Sequence, residues 1–157
     1  MAKLFKTSED IVKMAEEKFE KTGLDNVGVN LKVISLTKAN EVFKVAKANA
    51  TTEFLTKNSD MVTLFVYEDA FDRLTDDEKS KLMDGALSNI SFDYDKDRIN
   101  VDTSRYGELI RMRRVYPDYG DVIETSIILI EEIAEEEKRK KEEEKARKAE
   151  ERAAKKK

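Results

Sequence analysis

The segment "MVTLFVY", residues 61–67, constrains the fold of this chain more than any other. It is nearly continuous in apolar and β-favouring residues, which is typical of a central strand covered on both faces. Alternating segments at 29–36 and 41–48 are predicted to form a strand pair across a short polar turn. Residues 90–101 are predicted to form an edge hairpin or a strand with a polar turn. We expect these segments to make one small sheet with 61–67 at its middle.

Three helices are predicted to pack on this sheet. Residues 8–22 and 121–134 repeat apolar side chains at helical spacing. A capping-box pattern, Thr75 followed by Glu78, starts a helix over 76–89. The sequence therefore predicts an α+β fold, with a small sheet packed by helices.

The composition changes abruptly after residue 134. Residues 135–157 contain no apolar side chain larger than Ala, but acidic and basic residues recur at i,i+4 spacing, as in Glu136 with Lys140. This segment has 11 basic and 8 acidic residues, which leaves 19 basic and 26 acidic residues, a net charge of −7, in residues 1–134. We predict one domain over 1–134 and a charged tail, helical or flexible, over 135–157.

The chain contains no Cys and no His. Their absence excludes disulfides and thiolate nucleophiles, and removes the commonest metal ligand and the commonest general base. The longest aliphatic run, residues 127–130, is far too short to span a bilayer, and residues 1–10 lack an apolar signal segment. We expect a soluble protein without a metal or a cofactor, and without membrane contacts.

The order of segments over residues 54–93 resembles that of a known family. "FLTKNSDMVTLFVYEDAFDRLTDDEKSKLMDGALSNISFD" places a strand, an acidic-aromatic segment, a cap and a helix in succession. This order is similar to that of the minimal zincin-like metallopeptidases encoded by tailed bacteriophages, and the resemblance extends over roughly residues 4–116. In that family the helix carries H-E-L-x-H, whose two His residues bind zinc and whose Glu activates water.

The resemblance implies a degenerate zincin-like scaffold. Gly85 stands in place of the first His, Ala86 in place of the Glu and Asn89 in place of the second His. Gly and Ala offer neither a lone pair nor a proton, so we expect a chain that is not an enzyme. Gly85 also lies inside a predicted helix, at a cost of about 1 kcal/mol relative to Ala, which suggests that another backbone approaches it or that an ancestral residue had another role.

The function implied is that of a non-catalytic bacteriophage protein acting through protein–protein contacts. It would be virion-associated or packaged as cargo, with the charged tail facing the partner. The alternatives are a host-directed regulator and a nucleic-acid-associated phage protein. In each case the expected location is the cytoplasm of an infected bacterial host or the virion.

A basic segment, together with the lysines of the tail, carries the nucleic-acid alternative. Arg111, Arg113 and Arg114 lie beside two Tyr residues in "RMRRVYPDY", and such a set could grip phosphates and stack on bases. Acidic neighbours such as Glu108 dilute the positive field, so ordinary surface ion pairs are favoured.

An acidic segment carries the alternative of a metal site or a carboxylate enzyme. Asp93, Asp95 and Asp97 have the spacing that opens an EF-hand loop. However, Arg98 stands where that loop needs Gly, and Ser104 where it needs a bidentate Glu. An acidic turn between strands is therefore the favoured interpretation.

Overall fold

The computed structural model describes residues 2–49, 53–54 and 60–156. The predicted α+β class is confirmed, since a small mixed sheet is packed by helices. A 3-10 turn joins the first helix to the second strand. The elements in chain order are β1 (Leu4–Phe5), α1 (Glu9–Thr22), β2 (Asn30–Leu36), β3 (Phe43–Lys47), β4 (Met61–Tyr67), α2 (Glu68–Phe71), α3 (Asp76–Ser88), β5 (Ile90–Asp93), β6 (Arg98–Val101), α4 (Arg105–Arg113) and α5 (Tyr119–Lys155).

Strand β4 is the centre of the main sheet, as predicted. The strand order is β1-β2-β4-β3, with β2 parallel and β3 antiparallel to β4. Val62, Leu64 and Val66 are fully buried, whereas Thr63 and Phe65 on the opposite face are half-buried. The predicted coverage of both faces is therefore wrong for the described residues, because the second face is only partly buried.

The predicted pairing of 29–36 with 41–48 is also wrong. Strand β4 inserts between them, so that Leu64 is opposite Val33 on one side and Val45 on the other. Because β4 is the most continuously apolar of the three strands, burial favours it at the central position. This arrangement leaves β3 at the edge of the sheet.

The hairpin over 90–101 does not join the main sheet, contrary to the prediction. It forms a separate two-stranded sheet in which Ile90 is opposite Val101. Ile90 and Ile99 are buried, so the hairpin contributes to the core through side chains instead of backbone pairing. The fourth strand of the main sheet is β1, antiparallel to the end of β2.

Helices α1 and α3 form as the sequence predicts. Ile11, Ala15 and Phe19 recur along the buried face of α1. At the start of α3, the Glu78 N–H donates to Thr75 Oγ1 and the Thr75 N–H donates to Glu78 Oε1, which is the predicted capping box. Residues 50–58, for which the sequence predicts a turn or a short helix, lie outside the described residues except at 53–54.

The predicted last helix and the charged tail are one continuous helix, α5, of 37 residues. Its last buried residue is Ile133, and most residues beyond it are exposed. Arg73 donates to both carboxylate oxygens of Glu136, at 3.1 and 2.9 Å, instead of the predicted pair with Lys140. A planar guanidinium matches both oxygens at once, which a lysine cannot do, and the pair ties the base of the exposed helix to the end of α2.

Among the described residues, no helix is both long and apolar enough to cross a membrane.

A polar cluster joins the start of α1 to the sheet. Glu68 Oε1 accepts from the Ser35 hydroxyl at 2.5 Å and from the Ser8 N–H at 3.0 Å. Ser35 Oγ also lies 2.9 Å from Thr7 Oγ1; since the single Ser35 proton is given to Glu68, the Thr7 hydroxyl is the donor in this pair. Both hydroxyl residues are buried. The Ser8 side chain forms no cap, so the Glu68 carboxylate satisfies part of the α1 N-terminus instead.

We expect Glu68→Ala to lower the free energy of unfolding by about 2 kcal/mol, because hydrogen bonds to a charged acceptor are lost. Urea unfolding measures this change. Asp72→Ala is the matched control, since Asp72 is an exposed acid near the end of the same short helix. Equal losses in the two variants would contradict the assigned role of Glu68.

Candidate functional site

A cavity of about 580 Å³ lies beside the edge strand β3. Its walls are the β2–β3 loop, β3 and helices α3, α4 and α5. The volume lies within the range of protein ligand pockets. We call this cavity the cleft; its apolar half is lined by Phe43, Leu82, Ala86, Ile123 and Ile127.

The other half of the cleft is polar, and its acidic side chains form ion pairs or hydrogen bonds with neighbouring residues. Arg105 Nε donates to Glu41 Oε1 at 2.7 Å, which connects the start of α4 to the β2–β3 loop. Lys38 and Lys44 also line the cleft. Neither lysine forms an ion pair with another residue of the described ranges. The rim therefore presents positive charge that the described residues do not neutralise.

A chain of hydrogen bonds, the Asn89 network, crosses the polar half. Asn89 Nδ2 donates to Glu108 Oε1 at 2.8 Å, and Tyr119 donates to Glu108 Oε2 at 3.1 Å. At the other end Arg111 donates to Asn89 Oδ1, and also to Asp102 Oδ2 at 2.7 Å. Both ends of the Asn89 amide and both oxygens of Glu108 are thus engaged.

The Tyr119 phenol occupies the space into which a side chain at position 85 would project. A Cβ built on Gly85 would lie 1.8 Å from the Tyr119 hydroxyl oxygen and 2.6 Å from the ring carbon that bears it. Tyr119 is completely buried. The group that approaches Gly85 closely is therefore the Tyr119 side chain. The prediction that another backbone approaches this glycine is wrong.

Burial and hydrogen bonding set the ionisation of this network. Desolvation raises the pKa of Glu108, against the opposing effect of its hydrogen bonds from Asn89 and Tyr119. Desolvation, followed by the charge of Glu108, raises the pKa of Tyr119, so the phenol stays protonated. The hydrogen bond from Arg111 lowers the pKa of Asp102. The network therefore holds a carboxyl whose ionisation is opposed by its surroundings.

The motif positions identified from the sequence lie together on the cleft side of α3. Ala86 and Asn89 line the cleft, and Gly85 lies against Tyr119. Sequence reasoning did not connect Glu108 or Tyr119 with this site. No local pattern could have done so, because the tertiary fold alone brings Glu108, 19 residues away in the chain, to Asn89.

The three arginines of the basic segment do not act as one surface. Arg111 is directed inward, to Asp102 and Asn89. Arg113 lies over Gly120, where its Nη2 would be 2.8 Å from a Cβ, and Arg114 is exposed. This separation weakens a phosphate-binding surface at this segment.

The acidic turn joins β5 to β6. Asp93 Oδ1 accepts from the backbone N–H groups of Asp95 and Lys96, at 3.1 and 3.2 Å. Asp95 and Asp97 are exposed, and Asp97 has a φ of 50°. The Asp93 carboxylate thus orders a turn between the two strands, which is the interpretation that the sequence favours.

We expect Gly85→Ala to lower the free energy of unfolding by about 3 kcal/mol, since the added methyl group cannot fit beside Tyr119. Gly120→Ala is the matched control: the three atoms nearest to its Cβ all belong to the guanidinium of the flexible Arg113 side chain, so the change in the free energy of unfolding should stay within about 1 kcal/mol. In the double variant Gly85→Ala/Tyr119→Leu, the decrease in the free energy of unfolding should be smaller than the sum of the decreases in the two single variants. A double-mutant cycle measured by urea unfolding tests this. Additive losses would contradict a direct contact.

The raised pKa of Glu108 predicts a pH dependence of stability. Between pH 4.5 and the raised pKa, Glu108 keeps its proton in the folded chain and loses it in the unfolded chain. The free energy of unfolding therefore falls as the pH rises through this window. Glu108→Gln removes this effect. We expect the free energy of unfolding of the parent chain, minus that of Glu108→Gln, to fall as the pH rises above 4.5. Urea unfolding in steps from acid to neutral pH measures it, and a constant or rising difference would contradict the assignment.

The chain was also compared with known proteins. No protein-family model matches it, no curated protein matches it and no solved structure matches it. Function therefore has to be inferred from the chemistry of the cleft and from the strand beside it.

Proposed function

We propose that this domain is a non-catalytic binding protein that holds an extended segment of a partner protein in the cleft, as an additional strand on β3. The observation that carries the proposal is the set of backbone groups that β3 directs away from β4. Strand edges whose backbone groups have no partner pair readily with a further strand.

Two hydrogen bonds at the ends of β3 establish which groups face β4. The Tyr67 N–H donates to the Val42 carbonyl at 2.8 Å. At the other end, the Ala48 N–H donates to the Met61 carbonyl at 3.1 Å. In an antiparallel pair, the residues that exchange hydrogen bonds alternate along the strand. The even-numbered residues of β3 therefore bond to β4, and the odd-numbered residues face outward.

The free edge consists of the N–H and C=O groups of Phe43, Val45 and Lys47. Strand β6 approaches β3, but no backbone hydrogen bond joins these two strands in the described part of the chain. The cleft lies beside Phe43 and Val45 and gives an added strand the space for its side chains. An extended peptide thus finds hydrogen-bonding groups and a pocket in one place.

The side chains at the motif positions support binding without catalysis. Gly85 and Ala86 have no group that could coordinate zinc or activate water. Glu108, a carboxyl of the Asn89 network, already accepts hydrogen bonds at both of its oxygens. A cleft of this composition is suited to holding a ligand.

The resemblance over residues 54–93 is the reason to propose a bacteriophage origin. In that setting the partner is a virion protein, and the domain is a structural or packaged component of the virion. A host protein in the infected cytoplasm is the alternative partner, with this domain as its regulator. The exposed part of α5 beyond Ile133 is available as a second contact element. The nucleic-acid alternative has less support, because Arg111 is engaged within the Asn89 network.

Amide hydrogen exchange on the full chain tests the proposal. Without peptide, the Lys44 and Ala46 amides should exchange slowly, because they donate to β4, and the Phe43 and Val45 amides should exchange faster. A random nonapeptide library displayed on beads and selected on the immobilised chain would supply ligands. Their binding should slow exchange at Phe43 and Val45 and leave Lys44 and Ala46 as they were.

Val45→Pro is the blocking variant, because it removes an outward N–H and no bond to β4. Selected peptides should lose binding to it, provided that its circular dichroism matches that of the parent chain. If Val45→Pro unfolds, the exchange pattern alone decides. The proposal is overturned if the selection yields no peptide, or if the selected peptides protect amides elsewhere. It is also overturned if the Phe43 and Val45 amides of the peptide-free chain become more protected as the protein concentration rises. The last outcome would instead indicate a second copy at the edge.

A further inference from the structure

We propose that the partner segment carries one acidic residue between two apolar residues, aligned with Phe43, Lys44 and Val45. This inference rests on the proposed function, namely strand addition to β3. It adds the side-chain chemistry of the partner, which backbone pairing alone does not specify.

The alternation of strand side chains assigns the apolar positions. Side chains opposite one another in a strand pair project to the same face. Phe43 and Val45 are buried toward the face that α3 covers. Partner residues opposite these two would therefore project into the cleft, where Leu82 and Ala86 line the apolar half. Apolar side chains suit those positions, since their burial there is favourable.

Lys44 assigns the position between them. Its side chain is exposed and projects to the opposite face from Phe43 and Val45. If the partner segment runs antiparallel to β3, Lys44 occupies a non-hydrogen-bonded pair, in which opposing side chains come closest. An opposite charge at that position is favourable and a like charge is unfavourable.

The charge balance of the cleft favours the same choice. Glu41 is paired with Arg105, and Asp102 is paired with Arg111. Lys44 and Lys38 line the cleft without an ion pair to any described residue. Glu108, the third acid of the lining, forms no ion pair with a described residue and instead accepts hydrogen bonds from Asn89 and Tyr119. On β3 itself the unpaired charge is that of Lys44, and it calls for an acidic partner side chain.

The same lysine disfavours a second copy of the chain as the occupant. If two β3 edges paired antiparallel with Phe43 opposite Val45, the two Lys44 side chains would face each other. The neighbouring register, centred on Val45, would set Phe43 against Lys47. Edge lysines of this kind are a common protection against self-pairing. A foreign acidic segment meets neither difficulty.

A charge-swap experiment tests the inference. The probes are two fluorescein-labelled heptapeptides, Gly-Ser-Val-Glu-Val-Ser-Gly and Gly-Ser-Val-Lys-Val-Ser-Gly, titrated by fluorescence anisotropy with the full chain up to millimolar concentration. We expect the Glu peptide to bind roughly fivefold more tightly than the Lys peptide. Lys44→Glu should reverse this preference. Lys32→Glu, the same change at an exposed lysine of β2 outside the cleft, should retain it.

The outcomes separate this inference from the proposed function. The acidic specificity is overturned if both peptides bind equally, or if Lys44→Glu leaves the preference unchanged. Protection of the Val45 amide by either peptide would still support strand addition. If neither peptide binds the parent chain, the inference fails. Failure of the library selection as well would remove the proposed function. Lys44 is exposed, so Lys44→Glu should keep the fold, and its circular dichroism checks this.

Discussion

The contact between Tyr119 and Gly85 is the constraint on which the cleft depends. The phenol lies so close to α3 that only a residue without Cβ fits at position 85. This contact seats the start of α5 against α3, and it brings the Tyr119 hydroxyl to Glu108. One steric fit therefore sets both the apolar wall that α5 gives to the cleft and one end of the Asn89 network. Local helix propensity alone would favour Ala over Gly here, and the tertiary contact overrides it.

The cleft combines a polar network that is already satisfied with a strand edge that is not. Asn89 and Glu108 have their hydrogen-bonding groups engaged within the chain, whereas the outward groups of β3 have no backbone partner among the described residues. Unpaired strand edges and unmatched charges give binding energy and specificity, while catalysis needs groups that are free to react. This contrast supports the proposed recognition of an extended chain.

Sequence reasoning located the secondary structure better than the pairing. The periodicity of residues 8–22 and the capping box of Thr75 and Glu78 are local signals, and the structure confirms them. The predicted pairing of 29–36 with 41–48 is wrong because burial places the most apolar strand, β4, at the centre of the sheet, between these two segments. The hairpin over 90–101 was assigned to the wrong sheet for a similar reason. Alternation indicates that strands pair, but not with which neighbour.

The sequence by itself determined that the chain has an α+β fold, that its core is confined before the charged segment, and that residues 85, 86 and 89 lack the groups of a zinc site. These properties follow from residue chemistry and local periodicity, which need no knowledge of distant neighbours. The tertiary structure alone decided that Tyr119 fills the space beside Gly85, that Glu108 and Arg111 meet at Asn89, and that β3 lies at an edge beside the cleft. Such contacts join residues far apart in the chain, and only the packing of the whole domain brings them within hydrogen-bonding distance.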